Sequence, residues 1–253
     1  MGRVVEQATR LTAAGLAEIV LTGVDIASYG ADLPGQPSLG QMVRRLLGQV
    51  PSLPRLRLSS LDPVDIDADL LRLVADEPRL MPHFHLSVQA GADLILKRMK
   101  RRHLRSDVLS VAERLRRAHP DLALGADIIV GFPTETDAMF EQSLALVDEA
   151  GLSHLHVFPF SPRPGTPAAR MPQVPGEVIR ERAARLRARG QAAMAAFQTS
   201  RIGSDAAVLV EQPGFGHSEH YLPVRVDSPA APGTIVNVRV VGRADEHLLA
   251  KGP

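Results

Sequence analysis

The stretch HFHLSVQAGADLILKRMKRRH at residues 83–103 shows the grammar of the chain at its clearest. Its first residues alternate, with His83, His85, Ser87 and Gln89 on one face and Phe84, Leu86 and Val88 on the other. That period of two predicts a β-strand over 83–88. The chain then turns helical at 92–99 and again at 106–118, where Ser106 is placed to cap and Val108, Val111, Ala112 and Leu115 face inward. An apolar strand face packs on helices, so the polar face lines the interior of a sheet or barrel. Four polar groups on an inward face are costly unless water, protein partners or a ligand satisfy them.

The same alternation extends in both directions. Towards the N-terminus the pattern predicts a helix at 2–14 stopped by Gly15, a buried strand at 18–23, and a helix behind Ser38. A strand at 54–59 and a helix at 66–75, entered through Asp65 or Asp67, follow. Towards the C-terminus come a strand at 123–130 and a helix at 137–150, with Thr134 and Asp137 resembling a capping pair. A strand at 152–158, a Pro-rich loop and an Arg-rich helix at 175–197 complete this part. Strands alternating with helices through short connections predict a parallel α/β sheet, either open or a partial barrel. Beyond residue 198 only short strands separated by Gly and Pro remain: AAVLVEQ, YLPVRVDS, GTIVNVRVVG and HLLAKG. Two domains are therefore expected, 1–198 and 199–253, the second a small antiparallel all-β barrel.

Composition narrows the chemistry. The 253 residues carry 29 Lys+Arg against 28 Asp+Glu and no cysteine. Disulfides, thiol nucleophiles and cysteine-ligated clusters cannot be built from these residues. No apolar run is long enough for a membrane helix and no secretion signal is read, so a cytoplasmic protein without a membrane partner is expected.

Polar residues gather where the predicted strands end: Thr22, Gly23 and Asp25; Ser59, Ser60 and Asp62; Gln89; and Asp127 with the turn Gly131, Phe132 and Pro133. Parallel α/β structures bind ligands at the carboxyl ends of their strands. His83-x-His85 and His154-x-His156 also permit a metal reading, a metal-dependent hydrolase, because alternate strand residues can share an ion. Spacing identifies no accompanying carboxylate, so no metal site is assigned. The segment KRMKRRHLR (97–105) contains six Lys/Arg and no acid, a pattern suited to an anionic partner such as nucleic acid.

Taken together, TGVDIASYG (22–30), RLSSLDP (57–63), the 83–103 stretch, DIIVGFPTET (127–136) and FPFSPRPGTPAARM (158–171) resemble the radical S-adenosylmethionine methylthiotransferases. Within that family they look most like the branch that methylthiolates N6-threonylcarbamoyladenosine at tRNA position 37. Residues 201–251 resemble the TRAM domain, a small RNA-binding β-barrel. The resemblance implies a partial α/β barrel binding S-adenosylmethionine through Thr22, Gly23, Asp25, Ser59, Ser60, Gln89, Asp127, Gly131, Phe132 and Pro133. It implies tRNA as partner, with Arg98, Lys100, Arg101, Arg102 and Arg163 on the substrate side. It further implies 4Fe-4S clusters, whose C-x3-C-x2-C ligands this sequence does not contain. The expectation is therefore a C-terminal portion of such an enzyme, inactive alone. A catalytically silent RNA-binding protein is the alternative.

Overall fold

The computed structural model describes residues 2–252. Helix α1 (Gly2–Ala13) leads to strand β1 (Glu18–Leu21), helix α2 (Leu39–Gln49) and strand β2 (Arg55–Leu58). Helix α3 (Ala68–Asp76), strand β3 (His83–Gln89), and helices α4 (Asp93–Arg98) and α5 (Arg105–Ala118) follow. Strand β4 (Ala123–Val130), helix α6 (Asp137–Glu149), strand β5 (His154–Pro159) and the long helix α7 (Gly176–Ser200) end the α/β part.

Its strands are all parallel. β1 pairs with β2 from Glu18↔Arg55 to Leu21↔Leu58. β3, β4 and β5 form a second sheet, in register at His85↔Gly125 and Asp127↔His156. Isolated parallel bridges Leu56↔Leu80 and Leu61↔Leu86 link the two sheets. Phe84, Leu86 and Val88 are buried with Leu46 and Leu47 of α2, Leu70 of α3 and Leu115 of α5. The alternation read in the sequence thus presses one face of β3 on helices. Its polar face turns inward, as the cost of burying polar groups among apolar helices requires.

The helix starts depart from expectation at two places. Ser106 lies inside α5, whose N-cap is Leu104; the backbone N–H of Leu104 donates to Asp107 Oδ2 at 2.7 Å. Thr134 does not cap α6. Thr136 is the cap, accepting from the Met139 backbone, while Thr134 sits at φ 68° in the turn before it. Thr136 is itself a preferred capping residue, and in α5 the N3 residue Asp107 closes the first turn in place of a capping hydroxyl. Ser38 and Asp67 do cap α2 and α3.

After α7 the chain forms a closed barrel in the order β10-β8-β7-β6-β9. Its strands are β6 (Asp205–Gln212), β7 (Phe215–Ser218), β8 (Pro223–Asp227), β9 (Ile235–Ala244) and β10 (His247–Lys251). β7 was not among the expected strands; it has too few apolar residues to show alternation. The barrel is not wholly antiparallel, because β10 closes on β8 in parallel. Helix α7 serves both cores: Ala183 and Leu186 pack in the α/β core, Met194 and Phe197 against the barrel core. Across the junction Arg55 Nη2 donates to the Ala207 carbonyl at 2.6 Å, and Arg57 Nη1 to the Glu219 carbonyl at 3.2 Å.

Candidate functional site

The inward face of β3–β5 carries a column of imidazoles. At its lower end His83 and His154 meet with ring centroids 4.7 Å apart, and His83 stacks on Tyr221 of the barrel at 5.4 Å. Burial, reinforced by the neighbouring His154, Arg57 and His85, pushes His83 far below the usual histidine range. Burial likewise brings His154 down to about 3. Both rings are neutral, because no carboxylate offsets the desolvation of a cation here.

One step towards the strand ends the chemistry changes. His85 Nε2 lies 2.9 Å from Asp127 Oδ1, and His156 Nδ1 lies 3.1 Å from the same oxygen. Burial favours the protonated acid at Asp127, but the hydrogen bond and charge of His85, then those of His156, prevail and hold its carboxyl below the usual range. Register explains how three strands deliver one cluster. Asp127 pairs with His156, whereas His85 pairs with Gly125, two residues lower. Gly125 has no side chain, so the His85 ring leans across β4 towards Asp127. A Cβ at Gly125 would lie 2.3 Å from His85 Nδ1.

Asp127 also lines a groove of about 470 Å³ at the strand ends, together with Gln89, Ile129, Phe158, Phe160 and Arg163. That size suits a nucleoside-sized ligand, and the lining mixes two aromatic rings with a few polar groups. Gln89 reaches it through a bulge in the β3–β4 ladder, at φ 69°. The other sequence-predicted residues are placed differently. Thr22, Gly23, Asp25 and Ser60 are exposed at the ends of β1 and β2, where Asp25 accepts from Ser28. Ser59 is half-buried, its N–H donating to the Leu21 carbonyl at 2.9 Å. Gly131, Phe132 and Pro133 are buried, and Phe132 packs with Ile95, Leu96 and Phe160. Glu135 ties this turn down: its Oε2 accepts from the Gly131 N–H and from Arg182 Nη1, both at 2.8 Å.

The basic stretch divides into engaged and open residues. Arg101 Nη2 donates to Asp62 Oδ2 at 2.8 Å and to the Ser87 carbonyl at 3.0 Å, and Arg102 pairs with Asp65. His103, fully buried, links Asp62 to the Val88 carbonyl. Arg98 donates to the Thr134 hydroxyl. Lys100 and Arg163 are exposed and have no carboxylate partner among the described residues. The pairing of His85 with His156 through Asp127 escaped the sequence reading, which grouped histidines strand by strand. The available signal was Gly125-x-Asp127 on the intervening strand.

A model described as the radical SAM superfamily matches residues 1–147. The chain is 49% identical over 248 residues to threonylcarbamoyladenosine tRNA methylthiotransferase MtaB of Rickettsia prowazekii, covering 98% of this chain and 59% of that protein. It is 41% identical over 253 residues to a tRNA-2-methylthio-N(6)-dimethylallyladenosine synthase of Erythrobacter litoralis, covering 96% and 56%. The chain thus spans less than two thirds of the length of these relatives. Among solved structures, a radical S-adenosylmethionine methyltransferase, TsrM, of Kitasatospora setae aligns with TM-score 0.52 and 15% identity, covering 66% of this chain and 32% of that one. Coproporphyrinogen III oxidase of Escherichia coli aligns with TM-score 0.52 and 16% identity, covering 74% and 46%. At those identities the likeness is one of fold.

Proposed function

Because the chain belongs to the radical SAM superfamily, we propose that it forms part of a tRNA methylthiotransferase acting at C2 of N6-threonylcarbamoyladenosine at position 37. The observation that carries this reading is the 49% identity to the threonylcarbamoyladenosine enzyme along 98% of the chain, against 41% and 38% to dimethylallyladenosine enzymes. S-adenosylmethionine, when bound, would supply the methyl group and the radical precursor. The strand ends fit it in chemistry and size. Gln89 and the groove walls Ile129, Phe158 and Phe160 would hold its adenosine part, and Thr22, Gly23, Asp25, Ser59 and Ser60, at the ends of β1 and β2, would add polar contacts to it. In the turn Gly131–Phe132–Pro133, Phe132 packs on the groove residue Phe160 with ring centroids 5.2 Å apart. Asp127 directs its carboxylate to two imidazoles, leaving its strand end rather than its charge for the cofactor.

An iron–sulfur cluster does not fit the donors of this sequence. None of its residues is cysteine, and the strand ends present hydroxyl, amide and carboxylate groups. Ligands for a 4Fe-4S cluster would have to come from residues outside these 253, and no step is assigned to it. That same lack of thiolates favours, as the second reading, an RNA-binding protein without catalysis. The small barrel and the open cations Lys100 and Arg163 would then contact tRNA directly. A nucleoside digest of tRNA from a strain lacking the gene separates the two. Loss of 2-methylthio-N6-threonylcarbamoyladenosine supports the enzyme; unchanged levels overturn it.

A further inference from the structure

We propose that His85, Asp127 and His156 form a binding site for one divalent transition-metal ion of the zinc class. They are the one group of three potential ligands whose donor atoms, among the described residues, all lie within 4.8 Å of one another. Each comes from a different strand of a rigid three-stranded sheet, so the set is positioned by ladder hydrogen bonds rather than by loops. Two imidazole nitrogens and one carboxylate oxygen converging from one side are the donor types that bind zinc and its first-row neighbours. Three protein ligands leave at least one coordination position open.

The distances support replacement of hydrogen bonds by coordination. The nitrogen-to-oxygen separations are 2.9 and 3.1 Å. Tetrahedral coordination at bond lengths of about 2.0–2.2 Å sets neighbouring donors roughly 3.3–3.5 Å apart. These two separations would open by about 0.2–0.6 Å to admit an ion, while the two imidazole nitrogens, within 4.8 Å of each other, would settle at the same spacing. The Asp127 carboxyl is already ionised at neutral pH, which supplies the negative charge such an ion requires. The other pair on the same wall lacks that charge: His83 and His154 have nitrogens without hydrogen-bond partners but no acid beside them. The selectivity for the upper position is electrostatic.

Two further features fit a binding role. Gly125 keeps clear the space that lets the His85 ring reach over β4. Asp127 also lines the groove with Gln89 and Arg163, which brings one of the three ligands within reach of water or an anionic or heteroatom ligand entering there. Binding requires both imidazoles neutral at the coordinating nitrogen, so ion uptake releases any proton held between ring and carboxylate. This inference does not depend on the methylthiotransferase reading: zinc uptake and tRNA modification are measured separately.

The test is a titration of the full 253-residue chain, stripped with chelator, against zinc chloride in competition with a chromophoric chelator. Cobalt(II) is substituted in parallel to read the ligand field. One equivalent of zinc is expected, with a cobalt spectrum of nitrogen–oxygen coordination. Removing a ligand should cost about 100-fold or more in affinity, beyond the effect of losing an outer-shell partner. Asp127→Asn and His156→Asn should each show that loss; His217→Asn, on the barrel, should show none. His156 is largely exposed, so its replacement leaves the fold intact, as circular dichroism would verify. Absence of saturable one-to-one binding overturns the proposal, as does binding that His156→Asn leaves unchanged.

Discussion

The imidazole of His85 occupies the space that a side chain at Gly125 would need: an ideal Cβ there falls 2.3 Å from Nδ1 and 3.1 Å from the His154 Cβ. Neither neighbour can move far. His85 is held by Asp127, and His154 is buried with its Nδ1 2.9 Å from the Ser153 hydroxyl. Gly125→Ala should therefore overpack this wall and destabilise the α/β part by about 1–3 kcal/mol. Urea denaturation of the variant measures it, and stability equal to wild type would show that the His85 ring is free to swing away.

A second expectation concerns the turn before α6. Arg182 is buried and bridges Glu135 and Asp137, with Nη2 2.6 Å from Asp137 Oδ1. Burial pushes the Glu135 carboxyl up, against the pull of the Gly131 N–H and Arg182. Arg182→Met would leave a buried carboxylate without its cation, at a cost of about 3–5 kcal/mol at neutral pH. Adding Glu135→Gln should recover much of that loss, since the uncompensated charge is then gone. The loss should also shrink in acid, where Glu135 takes up a proton. Thermal melts of the two single variants and the double variant suffice; strictly additive losses would contradict the coupling.

The basic stretch should split by role. Arg101→Ala removes donors from Asp62 and the Ser87 carbonyl and should lower stability by about 1–3 kcal/mol. Lys100→Ala removes only an exposed charge. If that charge meets a phosphate, tRNA affinity falls and the slope of log K against log salt decreases by about 0.7–0.9. Filter binding across a salt series reads the second effect and melting the first. An Arg101→Ala protein with unchanged melting but weakened tRNA binding would reverse the assignment.

Acid should loosen the seam between the α/β part and the barrel. Burial, aided by Arg201 and opposed by Asp121, brings His220 down to about 4 from 6.5. His220 stays neutral in the folded protein while the unfolded chain takes up a proton. Its stabilising contribution is thus complete above pH 6.5 and is lost as pH falls towards 4, by about 3 kcal/mol at most. His220→Gln cannot take up that proton in either state. Its stability should fall less between pH 7 and 4 than that of the wild type, and parallel curves would refute the sign.

The alternation of period two and period 3.6 places the described strands and α-helices of the α/β part, since most of them bury one face on a neighbour, but not the short 3-10 turns at Pro63–Asp65 and Ala168–Arg170. Motif residues pointed to the strand ends, and the resemblance they carry agrees with membership of the radical SAM superfamily. In the barrel the same signal weakened: β7 is four residues long, and chain closure of β10 on β8 runs between segments distant in sequence. The caps of α5 and α6 lie two residues from those expected: Thr136 caps α6 with its own hydroxyl, and Asp107 holds the Leu104 N–H at the start of α5.

What periodicity cannot contain is which residues of different strands stand opposite one another. Asp127 meets His85 from 42 positions away and His156 from 29, and both contacts follow from ladder register. The same holds for charge. KRMKRRHLR reads as a uniform basic run, yet Asp62 and Asp65 claim Arg101 and Arg102 and leave Lys100 open. Local sequence dictates the elements because their hydrophobic faces are local; the chemistry of the site arises where three such elements are brought side by side, and only packing sets that.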